Sequence, residues 1–404
     1  MKKIFFQFGS GLGPMSRSLP IALALAESGY KLKYSGYANA KPYMEKVGIE
    51  ELNPNFSISD IKKCNPDPYW STAGQFWEMI GYGNMEWVEG KVNEIINDLK
   101  DFKPDIILSD LGILSCIVAR IAKIPLIALN QSCYHPNNAL GRLTWWEDEK
   151  QYDEPILDKL NALLKKYNAK PLNKFTEIFT GDLTIIPSFY EFDPINNLTE
   201  YNTNYIGPIL WNNDLGENDA IRNHFKSEKP VIFCYTARFR DNVGESGIKI
   251  FKSILETSKN VDAKFIVSTG SIQDYNEAKE IMNDQKFDNL QLFDYVPLSI
   301  AYGMSDLVIH HGGHGSCLGQ FYYEVPSIII PTHREREYNA RMCHKLGVSE
   351  FLLRKELNKE NLISNIEKLL KEEKYKNNTS KIHDKVKNDF NKLSRVTTLV
   401  DKTF

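Results

Sequence analysis

The stretch 306–340, DLVIHHGGHGSCLGQFYYEVPSIIIPTHREREYNA, constrains the fold more than any other part of the chain. An apolar run at 307–310 is too short for a buried helix. His311, Gly312, Gly313, His314, Gly315 and Ser316 interrupt it, and an amphipathic stretch resumes at Cys317. This reads as strand, turn and helix start, and the next apolar run, at 327–330, closes on Pro331. A helix returning the chain between two such strands commits them to a parallel sheet. Glycines at 312, 313 and 315 let the backbone turn sharply and leave amides uncovered. The first helical turn adds unpaired N–H groups and the positive end of the helix dipole. The turn is therefore predicted to hold an anion, a diphosphate, without a metal. Gly313 and Gly315 supply backbone, and His311 and Ser316 supply side-chain donors. A serine-capped glycine turn with no ligand is the plainer reading of the turn alone. Against it stands the polar cluster after Pro331, namely His333, Arg334, Glu335 and Arg336, then Asn339 and Ala340, which puts a second polar loop on the same side of the sheet.

The same alternation runs through both halves. Strands are predicted at 4–8, 30–35, 106–109, 126–129, 183–187 and 205–207, with helices at 19–28, 88–99 and 113–122. After a polar connection at 211–229 the pattern restarts, with strands at 231–235, 264–268, 291–293, 307–310 and 327–331. A chain of 404 residues suits two domains of roughly 200 residues each. Open parallel sheets place ligands beyond the carboxyl ends of their strands. Two such domains facing one another are expected to form a cleft between them.

Composition excludes several function classes. A net charge of −3, with 42% apolar and 25% charged residues, argues against a nucleic-acid binder. The six cysteines, Cys64, Cys116, Cys133, Cys234, Cys317 and Cys343, are scattered without a C-x-x-C pair, as expected of buried thiols in a reducing compartment. The apolar run at 4–8 is too short for a secretory core or a membrane span, so a cytoplasmic protein is expected. Peripheral membrane contact stays open, because it leaves no hydropathy signature. His310, His311 and His314 around a glycine turn do not form the single helical face a metal site of that spacing requires, so no metal is expected there.

His310, His311, Gly312, Gly313, Gly315, Ser316, Val325, Pro326, Pro331, Glu335, Asn339 and Ala340 match, in type and spacing, a known signature. With them the chain resembles the bacterial nucleotide-sugar-dependent glycosyltransferases of the GT-B fold, UDP-glycosyltransferase-like, of family 1 or 28 type. The resemblance extends to 11–30, to 205–208 (YIGP) and to 294–297 (DYVP), and so covers most of the chain. It implies an α/β protein of two facing Rossmann-like domains. These would be an acceptor domain at 1–208, a linker at 209–229, a nucleotide-sugar domain at 230–385 and a terminal helix at 386–404 packing back on the first domain. It also implies a hexosyltransferase-type enzyme with a nucleoside diphosphate sugar as donor, no further cofactor, and a small-molecule or lipid acceptor.

Carried over by position, the donor contacts are Thr236, Val296 through its backbone to the nucleobase, His311, Gly313, Gly315, Ser316, Glu335 and Arg336. Glu335 and Arg336 stand where the resembled enzymes hold sugar hydroxyls with an acidic residue and a glutamine. Arginine exchanges a neutral amide for a fixed fork of donors, and the plainer reading of this cluster is a surface ion pair. Gly319 stands where relatives using uridine nucleotides often carry a ribose-binding glutamate, which leans towards a thymidine donor unless Gln320 substitutes.

Transfer with inversion needs a base for the acceptor proton. The resembled enzymes commonly place a histidine after the first strand, where this chain has Pro14 or Arg17. The candidates that remain are Asp110, at the end of a strand, and His135, in the loop after the next one. Their plainer roles are a helix cap and a loop histidine. Gly9, Ser10, Gly11 and Gly13 with Arg17 form a second anion-friendly turn, suited to an acceptor bearing phosphate or carboxylate or simply to tight packing. Aromatic residues at 69–87 (Tyr69, Trp70, Phe76, Trp77, Tyr82, Trp87), with Trp145 and Trp146, suit sugar rings but are more often core. A non-catalytic partner protein and a sugar-nucleotide epimerase are the rival functions.

Overall fold

The computed structural model describes residues 1–7, 12–35, 41–62, 72–141, 155–211, 219–240, 244–283, 285 and 287–404; Gly9, Ser10, Gly11, Cys64, Tyr69, Trp70, Trp145 and Trp146 lie outside them. The chain divides into two units, Met1–Ile209 with Asp389–Phe404, and Leu210–Asn388. Both are α/β units built on a parallel sheet, as the alternating pattern predicts.

The first unit contains β1 (Lys3–Gln7), β2 (Lys31–Ser35), β3 (Glu50–Glu51), β4 (Ile106–Asp110), β5 (Leu126–Leu129), β6 (Leu183–Ile186) and β7 (Thr203–Tyr205), in the order β3-β2-β1-β4-β5-β6-β7. Every residue of β4, β5 and β6 is buried. That is why these strands read as continuous apolar runs: helices cover both faces of a parallel sheet. Trp77 packs on Tyr134, Phe175 and Phe179, with ring centroids 4.9–6.2 Å apart, so this part of the aromatic stripe is core. The terminal helix Ser394–Thr403 belongs to this unit and buries Val396 and Val400, one helical turn apart. Tyr30 donates its hydroxyl to Asp401, and Arg395 donates to Asp389 at 2.5 Å. Gly207, at φ 87°, allows the returning backbone this close; a Cβ there would lie 2.1 Å from the Asp389 carbonyl oxygen.

The second unit contains β8 (Val231–Tyr235), β9 (Lys264–Ser268), β10 (Leu290–Phe293), β11 (Leu307–His310), β12 (Ser327–Ile329) and β13 (Ser349–Phe351), in the order β10-β9-β8-β11-β12-β13. One face of the sheet packs Phe251, Ile254, Ile366 and Leu369, and the other packs Ile300, Tyr302 and Val325. Both sheets run outward in two directions from their first strand, reversing between β1 and β4 and between β8 and β11. Loops diverge at such a reversal, and the carboxyl ends of the two strands there frame a place for a ligand.

Candidate functional site

In the second unit the reversal point is bounded by the ends of β8 and β11. The chain leaves β11, turns at Gly312 and enters the helix His314–Tyr322. Gly312 has φ 88°, and a Cβ on it would sit 2.8 Å from the Arg336 carbonyl oxygen, so both conformation and space demand glycine. Its amide donates to His310 Nδ1 at 3.1 Å, and its carbonyl accepts from Asn339 Nδ2 at 2.9 Å. Gly312 is therefore anchored inward at both ends. The cradle starts one residue later. The first intrahelical bond runs from the Cys317 amide to the Gly313 carbonyl at 3.0 Å, which leaves the amides of Gly313, Gly315 and Ser316 without a backbone acceptor among the described residues.

His311 is buried beside this turn, its ring edge-on to Tyr235 with centroids 5.1 Å apart. A Cβ at Gly313 would approach its Nε2 to 2.8 Å. Burial first, then Arg336, His310 and His333, hold its pKa well below the ordinary value. It is thus a neutral ring that can donate a hydrogen bond but adds no charge. His310 is pushed down to about 3 by burial. Thr236, across the reversal point, is buried and spends its hydroxyl proton on the Ala237 carbonyl at 3.0 Å. Val296 is buried in the loop between β10 and the helix Leu298–Gly303, next to the exposed Tyr295.

Glu335 and Arg336 lie in the first turn of the helix Arg334–Lys345. Glu335 Oε1 accepts from Asn339 Nδ2 at 2.7 Å, and Arg336 donates to the Thr332 hydroxyl. Nearby, Arg334 and Glu337 are buried, and Glu337 Oε1 accepts from Arg341 at 2.7–2.8 Å. The cluster is therefore not the solvated surface pair of the plainer reading. Gly319 lies against Tyr302 and Leu298, which a Cβ would meet at 3.3–3.4 Å. Gln320 does not stand in for a ribose ligand: it is fully buried, accepts from the Ser327 hydroxyl at 2.5 Å and donates to Cys343 Sγ at 2.9 Å.

In the first unit Asp110 ends β4 at the reversal point, and the chain bends immediately after it at Leu111, φ 51°. Arg17, from the helix Leu12–Glu27, donates through Nε to Asp110 Oδ2 at 2.8 Å and through Nη2 to Oδ1 at 2.5 Å. Both side chains are buried. Asp110 does not cap the next helix, Ile113–Ala122. Gln7, at the end of β1, takes that part by accepting from the Ser115 amide at 3.0 Å. His135, after β5, is buried; its Nδ1 accepts from the Asn137 amide at 3.0 Å and its Nε2 lies 3.0 Å from the Thr203 hydroxyl. Burial pushes its pKa down to about 4. Both ring nitrogens are thus occupied within the unit.

The structure gathers His311, Gly313, Gly315 and Ser316 at one turn and brings Glu335 to it through Asn339. Two side chains at the reversal points, Tyr235 and Gln7, carry no role in the sequence reading, and Asn339 entered it only as a member of the polar cluster and the signature. The signal for Asn339 was its position four residues after Glu335 on one helix face. Among the described residues there is no group of three or more His, Cys, Asp or Glu able to hold a metal, and no helix long and apolar enough to cross a membrane.

These features define an α/β protein of two open parallel sheets, each with a reversal point in its strand order. Residues 248–394 match the glycosyltransferase family 28 C-terminal domain. An uncharacterized glycosyltransferase of Methanosarcina mazei is 24% identical over 95% of this chain and 93% of its own length. A PGL/p-HBAD biosynthesis glycosyltransferase of Mycobacterium tuberculosis is also 24% identical, over 67% of this chain and 64% of its own. Among solved structures, the calicheamicin glycosyltransferase CalG4 superposes with a TM-score of 0.73 at 16% identity, covering 100% of this chain and 98% of the other. The spinosyn rhamnosyltransferase SpnG complexed with thymidine diphosphate does so with a TM-score of 0.73 at 14% identity, covering 99% and 100%. The chain is a glycosyltransferase of the GT-B type, a hexosyltransferase-type enzyme.

Proposed function

We propose that the second unit binds a nucleoside diphosphate sugar and that the first unit binds the acceptor to which the sugar passes with inversion. One observation carries the donor half: the amides of Gly313, Gly315 and Ser316 stand open at the start of a helix, beside the neutral donor His311. In the step, the acceptor oxygen attacks the anomeric carbon as the bond from that carbon to the β-phosphate oxygen breaks, and the nucleoside diphosphate leaves with the electron pair. Oriented amides and the helix dipole stabilise the charge that develops on the leaving group, so the reaction runs without a metal. Glu335 accepts from sugar hydroxyls, and Arg336 adds a cationic donor beside them.

For the nucleotide we favour thymidine diphosphate. Gly319 offers no carboxylate to a ribose, Gln320 faces inward, and SpnG, of similar fold, was solved with thymidine diphosphate. For the acceptor, small natural-product and lipid-linked alcohols or phenols both fit. SpnG has been solved with spinosyn aglycone, and a Finegoldia magna relative acts on a pyrophosphoryl-undecaprenol acceptor. Of the two candidate bases we favour Asp110, because His135 has both nitrogens committed. Arg17 holds the Asp110 carboxylate in place, and one of its hydrogen bonds must be exchanged for the acceptor hydroxyl. An acceptor hydroxyl that is itself acidic suits this arrangement best. Cytoplasmic work fits the buried free thiols.

Thermal melting with thymidine and uridine diphosphates and their glucose conjugates tests the donor reading, since a ligand of the native fold alone raises the melting temperature. A shift that vanishes in Ser316→Ala together with His311→Ala supports it. No shift with any of the four compounds overturns it.

A further inference from the structure

We propose that Asn339 is a positioning residue that clasps the diphosphate turn to the carboxylate of Glu335, so that the turn and the sugar contact are set as one unit. This rests on the donor reading above and adds a residue to it. The Asn339 side chain is buried, and its Nδ2 lies 2.9 Å from the Gly312 carbonyl oxygen and 2.7 Å from Glu335 Oε1. Both partners only accept, so the amide nitrogen must face them, and its two protons are fully used. No other uncharged side chain of this length places two N–H bonds on one atom in this geometry except the longer glutamine.

The surrounding backbone is shaped for the same contact. Gly312 is at φ 88°, which turns its carbonyl towards the helix Arg334–Lys345, and the absence of a Cβ lets that helix approach. Glu335 and Asn339 are four apart on this helix, hence on one face. On the far side of Gly312 its amide is held by His310. A chain of bonds thus runs from His310 through Gly312 and Asn339 to Glu335. It fixes the plane of a carboxylate that would otherwise rotate about its side chain, and it ties that plane to the residue that sets the open amides of the cradle. A buried asparagine that only satisfies a stray carbonyl would need one of these bonds, not both.

The experiment compares full-length Asn339→Ala, Glu335→Ala and the double variant, measuring affinity for thymidine diphosphate and for thymidine diphosphate glucose. With the clasp, Asn339→Ala weakens the sugar conjugate roughly ten-fold more than the bare diphosphate, and this excess disappears in the Glu335→Ala background, because the pair is coupled. Equal losses for the two ligands, or an excess that persists without Glu335, overturn the clasp while leaving the donor reading intact. Failure of the unaltered chain to bind either compound or its uridine counterpart overturns both.

Should Asn339→Ala not fold, Asn339→Asp keeps the shape and replaces the donor by a carboxyl group. When ionised it faces two acceptors and repels Glu335; when protonated it restores one bond. The KM for donor, relative to the unaltered enzyme, then rises between about pH 5.5 and about pH 8, as the new carboxyl loses its proton beside a like charge. A ratio that stays flat over this range overturns the proposal.

Discussion

The two reversal points share a topology and differ in chemistry. In the second unit β11 ends in glycines and histidines, and the helix that follows opens on free amides. In the first unit β4 ends in Asp110, whose charge is already answered by Arg17. One edge leaves backbone amides without a backbone acceptor among the described residues, the place where we propose the diphosphate binds; the other has closed on an ion pair. The order shared by six strands of each sheet therefore says where a ligand belongs, and the side chains at the strand ends say whether a charge is still wanted there.

Removing the first unit's carboxylate tests this contrast most severely. Asp110→Asn is expected to lower kcat roughly 100- to 10,000-fold if Asp110 takes the acceptor proton, with affinity for the nucleoside diphosphate unchanged. Near-normal turnover in steady-state assays would make the pair purely structural. Asp110→Ala strands a buried guanidinium and should cost about 3–5 kcal/mol in a denaturation experiment. In the second unit, Gly313→Val pushes a side chain towards His311 and covers the cradle. Calorimetric affinity for thymidine diphosphate should fall on the order of 100-fold, corresponding to the loss of two or more charge-assisted hydrogen bonds. His311→Ala and Ser316→Ala are milder, at about three- to ten-fold each, the scale of one hydrogen bond.

The smallest effect is a pH slope. His135 has a native pKa near 4, against about 6.5 unfolded. Below that unfolded value the denatured chain takes up a proton that the native ring refuses, so this contribution is complete above pH ~6.5 and stability falls as the pH drops towards 4. The expected slope is at most about 1.4 kcal/mol per pH unit for this ring. His310, held still lower, adds to the same window. Melting curves of His135→Asn should be flatter over it; an unchanged slope would mean the ring is protonated in the native state.

The layered α/β organisation was legible because it is local. Apolar runs of four or five residues, helical periodicity between them and a glycine turn each depend on neighbours a few positions away. Where the site's hydrogen bonds go was not legible. Nothing near Arg17 marks Asp110, 93 residues on, as its partner, and nothing near Gln320 shows that its amide faces Ser327 and Cys343 rather than a ligand.

Gly312 shows the division within a single residue. Its composition and position announced a tight turn, yet only packing against the helix Arg334–Lys345 decided that its amide would face His310 and its carbonyl Asn339. The chain by itself determined that strands, helices and a glycine turn at a helix start would form, because backbone conformation and helix polarity are properties of short segments. Tertiary structure alone decided which polar groups stay unspent, because burial and partnership are settled only when distant segments meet.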